Sequence, residues 1–176
     1  MKEPFRWFDR KFAFKPPPEL FPVIVERLRG TTARAEEKAK TVPAEMITRR
    51  LGDSWSIQEN IGHLLDVEEL WEGRIDDFLS GEKELRPADL SNRSTHQADH
   101  NSQSLDTLVS SFRARRSSWV ARLDDMTDEQ VIVEALHPRL GQPMRVIDLC
   151  FFVAEHDDHH LARMSEIWRA LRLNAG

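Results

Sequence analysis

The chain has 176 residues, 40% of them hydrophobic and 31% charged, with 25 Lys and Arg against 30 Asp and Glu for a formal net charge of −5. That length fits one domain with a sizeable core, and the balance is that of a soluble globular protein. A mildly acidic chain lacks the electrostatic footprint of a nucleic-acid binder, and no stretch reaches the roughly 18–20 apolar residues that span a bilayer.

Residues 1–18 read as an irregular extension ending in Pro16-Pro17-Pro18. Its opening residues mix charges with aromatics and contain no apolar leader, so a cytoplasmic protein is expected. Phe5, Trp7, Phe8, Phe12 and Phe14 are too apolar for a solvated tail. They should pack against the body of the protein or against a second subunit.

Residues 19–176 then carry four long helical patterns. The first covers 19–41, with Leu20, Ile24 and Leu28 at helical spacing and Glu36-Glu37-Lys38 on a solvated face. The second covers 56–79; Ser56 and Glu59 have the spacing of a capping box, Gly81 suits the residue after the end, and Trp55 would staple the start. The third covers 95–126 on a stripe of Leu105, Leu108, Phe112, Trp119 and Leu123, with Arg113, Arg115 and Arg116 as a local basic patch. Thr127-Asp128-Glu129 would start a short extra turn, and Val131-Ile132-Val133 is the one brief β-like run. The fourth covers about 143–173. Four amphipathic helices in one small domain specify an all-α four-helix bundle.

Cys150, the only cysteine, lies in an apolar run and reads as a core residue; with no tyrosine present, a phenolic acid or base is excluded. Trp71, Trp119 and Trp168 read as core or interface. The histidines carry more information. The H-x-x-x-H spacing, which places two imidazoles on one helix face, occurs as His96/His100 and as His156/His160.

Helix geometry separates the two pairs. Taking His156 as zero at about 100° per residue, Leu149, Val153, His160, Met164, Ile167 and Leu171 all fall between about 20° and 80°. His156 and His160 therefore lie in the apolar stripe, where bundles place cofactors, and His159 flanks it at about −60°. His96 and His100 fall opposite the stripe of their helix and should face solvent. A buried His156/His160 pair can hold a metal, or it can be two core histidines bonded to carbonyls or carboxylates. His63, at the border of the second helix's apolar face, is ambiguous between ligand and half-exposed residue. Glu59 and Asp66 lie on its side and could orient an imidazole.

Trp55-Ser56-Ile57-Gln58-Glu59-Asn60-Ile61-Gly62-His63 and His156-Asp157-Asp158-His159-His160 together resemble the second- and fourth-helix signatures of the DinB superfamily of DinB/YfiT-like metalloenzymes. Asp89-Leu90-Ser91-Asn92 followed by His96 to Asn101 is similar to one branch of it, and the likeness spans about residues 20–173. The resemblance implies an up-down-down-up bundle, often homodimeric, with one divalent metal on His63, His156 and His160. Asp157, like Glu59 and Asp66, is a candidate to support the ligands. Imidazoles suit zinc or nickel first, with iron or manganese as alternatives. The family spans low-molecular-weight-thiol S-transferases, a thiol-dependent isomerase and hydrolases. Such an activity on a small-molecule substrate is expected here, with a thiol as a candidate co-substrate. The competing expectation is a non-catalytic stress-response or binding protein stabilised by its metal.

Overall fold

Pro18 and Pro22 stand where a helix tolerates proline, before the first-turn N–H groups have carbonyl partners. In the computed structural model, which describes residues 6–174, a 3-10 turn at Pro18–Leu20 leads into α1, Phe21–Lys40. Phe5 lies outside the described residues. A short α2, Ala44–Ile47, precedes α3, Ile57–Asp66, and α4, Glu68–Leu79.

The capping box forms as expected: Glu59 N–H donates to Ser56 Oγ at 3.0 Å, and Ser56 N–H to the Glu59 carboxylate at 2.8 Å. α3 and α4 act as one rod, because the Val67 N–H still reaches His63 O and the Trp71 N–H reaches Val67 O, each at 3.1 Å. Gly81, at φ +76°, ends it in the left-handed conformation, and Glu82 N–H closes back on Asp77 O at 2.9 Å.

The third long helix starts ten residues later than its pattern suggested. A separate α5, Arg93–Gln97, and a 3-10 turn, His100–Ser102, come first; α6 then runs Leu105–Asp124 from a Ser104 cap. Asn92 at φ 52° and Asp99 at φ 45° break the path, residue types that tolerate the left-handed region. Thr127 caps the expected short turn, α7 at Asp128–Val131. Beyond it β1, Glu134–His137, pairs antiparallel with β2, Gln142–Arg145, and feeds α8, Val146–Leu173. The β-like run at 131–133 falls before this hairpin rather than in it.

Ion pairs and hydrogen bonds between helices give their directions. Arg27 bonds Glu155 and Lys38 bonds Ser165, so α1 and α8 run parallel. Arg29 bonds Asp124 while Arg113 bonds Glu36, so α1 and α6 are antiparallel. Arg116 bonds Glu68 and Arg122 bonds Asp76, so α4 and α6 are parallel. His63 meets His156 and Asn60 meets His160, so α3 and α8 are antiparallel. The bundle is up-down-down-up.

Its apolar core divides in two. One cluster takes Ile24, Leu28, Trp71, Phe78, Trp119 and Val153; the other takes Ala35, Ile61, Leu64, Phe112, Leu161 and Ile167. Between them every long helix contributes a buried polar side chain: Thr31, His63, Glu68, Arg116, His156, Asp157 and His160. This polar layer contains the candidate site. Arg116 is thus a core residue, 1% exposed, and the expected basic patch loses its last member.

Trp7, Phe12 and Phe14 of the aromatic extension pack on the chain's own body, whereas Phe8 stays exposed. Trp7 and Phe12 place their rings 5.1 and 5.0 Å from Phe152. Cys150 is buried, and burial pushes its thiol up, as a core cysteine should behave. No helix among the described residues is long and apolar enough to cross a membrane.

Candidate metal centre

α3 and α8 run antiparallel with His63 facing His156 and His160. One ring nitrogen from each of the three lies within 4.8 Å of the others. All three side chains are buried, at 5%, 6% and 7% exposure. The Nε2 atoms of His63 and His156 stand 3.4 Å apart.

The remaining nitrogens are held in two of the three rings, while the buried Nδ1 of His156 has no partner among the described residues. Nδ1 of His63 lies 3.1 Å from Thr95 Oγ1, and Nδ1 of His160 lies 2.8 Å from Asn60 Oδ1. The Asn60 orientation is set independently, since its Nδ2 donates to Ser56 O at 2.7 Å. A ring that donates through Nδ1 keeps its Nε2 lone pair for something else.

Burial pushes His63 down to about 4, and burial with the neighbouring imidazoles holds His156 and His160 well below the ordinary value. The three rings are therefore neutral at neutral pH, and a ring that bonds through Nδ1 leaves its Nε2 lone pair open to a cation. Two imidazole nitrogens on a tetrahedral ion at about 2.0–2.1 Å stand about 3.3–3.4 Å apart. The donor set fits a divalent metal.

The triad lines a cavity of about 390 Å³. Trp55 does more than staple a helix start: its ring lies 4.7 Å from His63 and 6.1 Å from His160. Trp7 and Trp71 close the other side, 5.0 and 5.8 Å from His156. His159 flanks the triad but also lines this cavity, its ring 5.4 Å from His160. Asp66 lines it as well.

All three carboxylates expected to support the ligands are engaged elsewhere, Asp66 by His100. Glu59 is held by Arg50 and by the Ser56 N–H. Asp157 turns from the histidines towards Arg116 and Thr31, at 2.6 and 2.7 Å. Asn60 and Thr95 bond the imidazoles instead, and neither stood out in the sequence. Asn60 could have been found as the residue one turn before His63; nothing local distinguished Thr95, which arrives from another segment.

His96 is exposed as expected, but His100 is not. It is 3% exposed, and its Nε2 bonds Asp66 Oδ2 at 2.9 Å. The helix that would have pointed it outwards is broken at Asp99, and the following turn drives its ring onto Gly62. A Cβ on Gly62 would land 2.3 Å from that ring. Gly62→Ala should therefore cost about 1–3 kcal/mol in urea denaturation, the range for overpacking a filled site. A cost near zero would mean that the 93–103 segment yields freely.

The family profile of the DinB superfamily matches residues 27–164. A solved structure described as "YfiT from Bacillus subtilis is a probable metal-dependent hydrolase with an unusual four-helix bundle topology" superposes with a TM-score of 0.78 at 19% identity, covering 92% of this chain and 93% of that one. No curated protein sequence matches.

Proposed function

The chain belongs to the DinB superfamily, and from that premise we propose that it is a metal-dependent enzyme, a hydrolase of a small substrate, with His63, His156 and His160 holding one divalent ion. The observation that carries this is where the triad lies: on the wall of an open cavity rather than inside a closed cage. Structural sites fill four positions with protein ligands, whereas three imidazoles leave room for a reactant. A divalent ion there supplies Lewis acidity, lowering the pKa of a water or thiol so that a nucleophile is available near neutral pH.

The chain's own residues supply the rest. Asn60 and Thr95 hold two rings in orientation, and Trp7, Trp55 and Trp71 restrict water around the third side. His159 faces the cavity beside the triad and is the group placed to exchange a proton with a bound reactant. Zinc or nickel is the proposed ion, since imidazole ligands suit both. Transfer of a low-molecular-weight thiol to an electrophile is the alternative reaction at the same site.

The test is turnover with and without added metal, on activated esters in one arm and on a thiol with a model electrophile in the other. Metal-dependent turnover in either arm supports an enzyme and chooses the reaction. A metal-loaded protein inert in both arms would point to the non-catalytic alternative, with metal stabilising the bundle. The protein is further proposed to be a cytoplasmic homodimer. Trp7, Phe12 and Phe14 pack on their own chain and Phe8 is left 58% exposed, so sedimentation alongside the assays decides; a lone monomer at micromolar concentration refutes the dimer.

A further inference from the structure

The cavity that holds the histidine triad is also lined by Arg74, His137 and Arg139. Arg74 is 1% exposed, and its guanidinium lies 5.5 Å from the Trp71 ring, which itself lies 5.8 Å from the His156 ring. Its Nε donates to Arg86 O at 3.1 Å, but its buried Nη2 has no hydrogen-bond partner among the described residues. The buried Nη2 of Arg139 has none either, its guanidinium lying over the rings of Phe8 and Phe152 at 5.3 and 5.9 Å.

His137 adds to the excess of donors. The Leu140 N–H points at its Nδ1 at 3.2 Å, and Arg74 Nη1 points at its Nε2 at 3.1 Å. A neutral imidazole has one acceptor nitrogen, and burial beside Arg74 and Arg139 pushes His137 down to about 3, so the ring is neutral. One of those two contacts is donor against donor. Asp77, whose charge acts on Arg74 without bonding it, directs its oxygens to Arg86, which donates through its backbone N–H at 2.8 Å and its Nη2 at 2.7 Å.

Buried polar groups are bonded in native proteins, and a buried cation without a counter-charge is costly. Two guanidinium edges and a frustrated histidine on one wall of a cavity make a site short of acceptors. We infer that Arg74 and Arg139 form an oxyanion subsite of the metal cavity, so that the substrate is a small acid bearing a carboxylate or phosphate-type group. Guanidinium forks suit both groups. The anion would anchor on this wall, with Trp71 between it and the triad, and present the rest of the molecule to the metal. Asp66 and Asp89, also on the cavity wall, are already occupied, by His100 and by Ser91 and Arg93.

This inference rests on the proposed function for its choice of substrate, but its binding test does not need the metal. Benzoate, phenylphosphonate and neutral benzamide would be titrated against tryptophan fluorescence, which Trp7 and Trp71 report from the cavity. Benzoate or phenylphosphonate should bind and benzamide should not, and whichever acid binds tighter identifies the head group. Arg139→Gln and Arg74→Gln should each weaken binding at least about tenfold, the loss of a charge-assisted hydrogen bond. Arg122→Gln should change nothing, because that side chain lies outside the cavity and is paired with Asp76 at 2.5 Å. Arg139 is only partly buried, so its variant keeps the test valid if Arg74→Gln fails to fold. The same acids should bind metal-free His160→Ala protein. Binding lost there would place the anion on the metal and overturn the subsite, as would equal binding of benzamide or an Arg139→Gln affinity within twofold of the parent. Oxyanion binding by a protein that takes up no metal in any form would sink the metal proposal alone.

Discussion

His160→Ala is expected to leave the purified protein without bound metal, as are His63→Ala and His156→Ala, while His96→Ala, His100→Ala and His159→Ala retain it. The three nitrogens in reach of one another belong to the first set alone. Removing Asn60 or Thr95 should act less severely, lowering affinity roughly 10–100-fold as the loss of a supporting hydrogen bond does. Elemental analysis after purification separates the sets. Full metal content in the His156 and His160 variants, or loss only in His96 or His100 variants, would mean that the triad is misassigned. Retention in every variant would make these ordinary core histidines.

The same variants predict how the protein responds to acid. His63 has a folded value of about 4 against an ordinary 6.5, and burial shifts His156 and His160 the same way. The folded state then binds fewer protons than the unfolded state across that interval. Stability is fully present above 6.5 and is lost as pH falls towards 4. Metal affinity falls over the same window, because a protonated imidazole cannot ligate.

The long helices were readable because their apolar residues repeat at the helical period and Ser56 and Gly81 mark real ends. The angular argument placed His156 and His160 inside the bundle from the sequence of α8 alone. His100 escapes it, since the angles assume one continuous helix from residue 95 and the left-handed Asp99 breaks that path. His63 lay at a stripe border, and periodicity cannot say which helix a border faces. The hairpin was invisible because Glu134-Ala135-Leu136-His137 and Gln142-Pro143-Met144-Arg145 are short and hold no β-branched residue. Arg116 misled for a different reason: charge in a sequence reads as surface unless its partners are known, and those lie 41, 48 and 88 positions away.

Those partners make Arg116→Ala the most damaging single change expected outside the triad. The guanidinium uses all five of its donors. Nε and Nη2 reach Glu68 on α4 at 3.1 and 2.6 Å, Nη1 and Nη2 reach Asp157 on α8 at 2.6 and 3.2 Å, and Nη1 also reaches Leu28 O on α1 at 3.0 Å. One side chain on α6 thereby ties the other three arms of the bundle together, immediately beside His156. Alanine would leave Glu68 and Asp157, each 0% exposed at the side chain, without a counter-ion. Breaking a buried pair in this way costs about 3–5 kcal/mol, equivalent to roughly 6–20 °C in Tm for a domain of this size. Lysine, with three donors in place of a five-donor fork, should rescue only part. Burial already holds Glu68 up at about 7 against the pull of Arg116. With a folded value above the unfolded one, its contribution is complete below the ordinary carboxylate range and is lost as pH rises through 7. Without the guanidinium that loss steepens, so the penalty of Arg116→Ala should grow from about pH 5 to about pH 8, opposite in sign to the histidine effect. Replacing Arg116, Glu68 and Asp157 together by Met, Leu and Leu should recover most of the stability, because no buried charge is then left unpaired. Urea denaturation across that pH range checks both claims. An Arg116→Ala penalty below about 1 kcal/mol, or one that shrinks with rising pH, would remove the guanidinium from its place at the centre of the bundle.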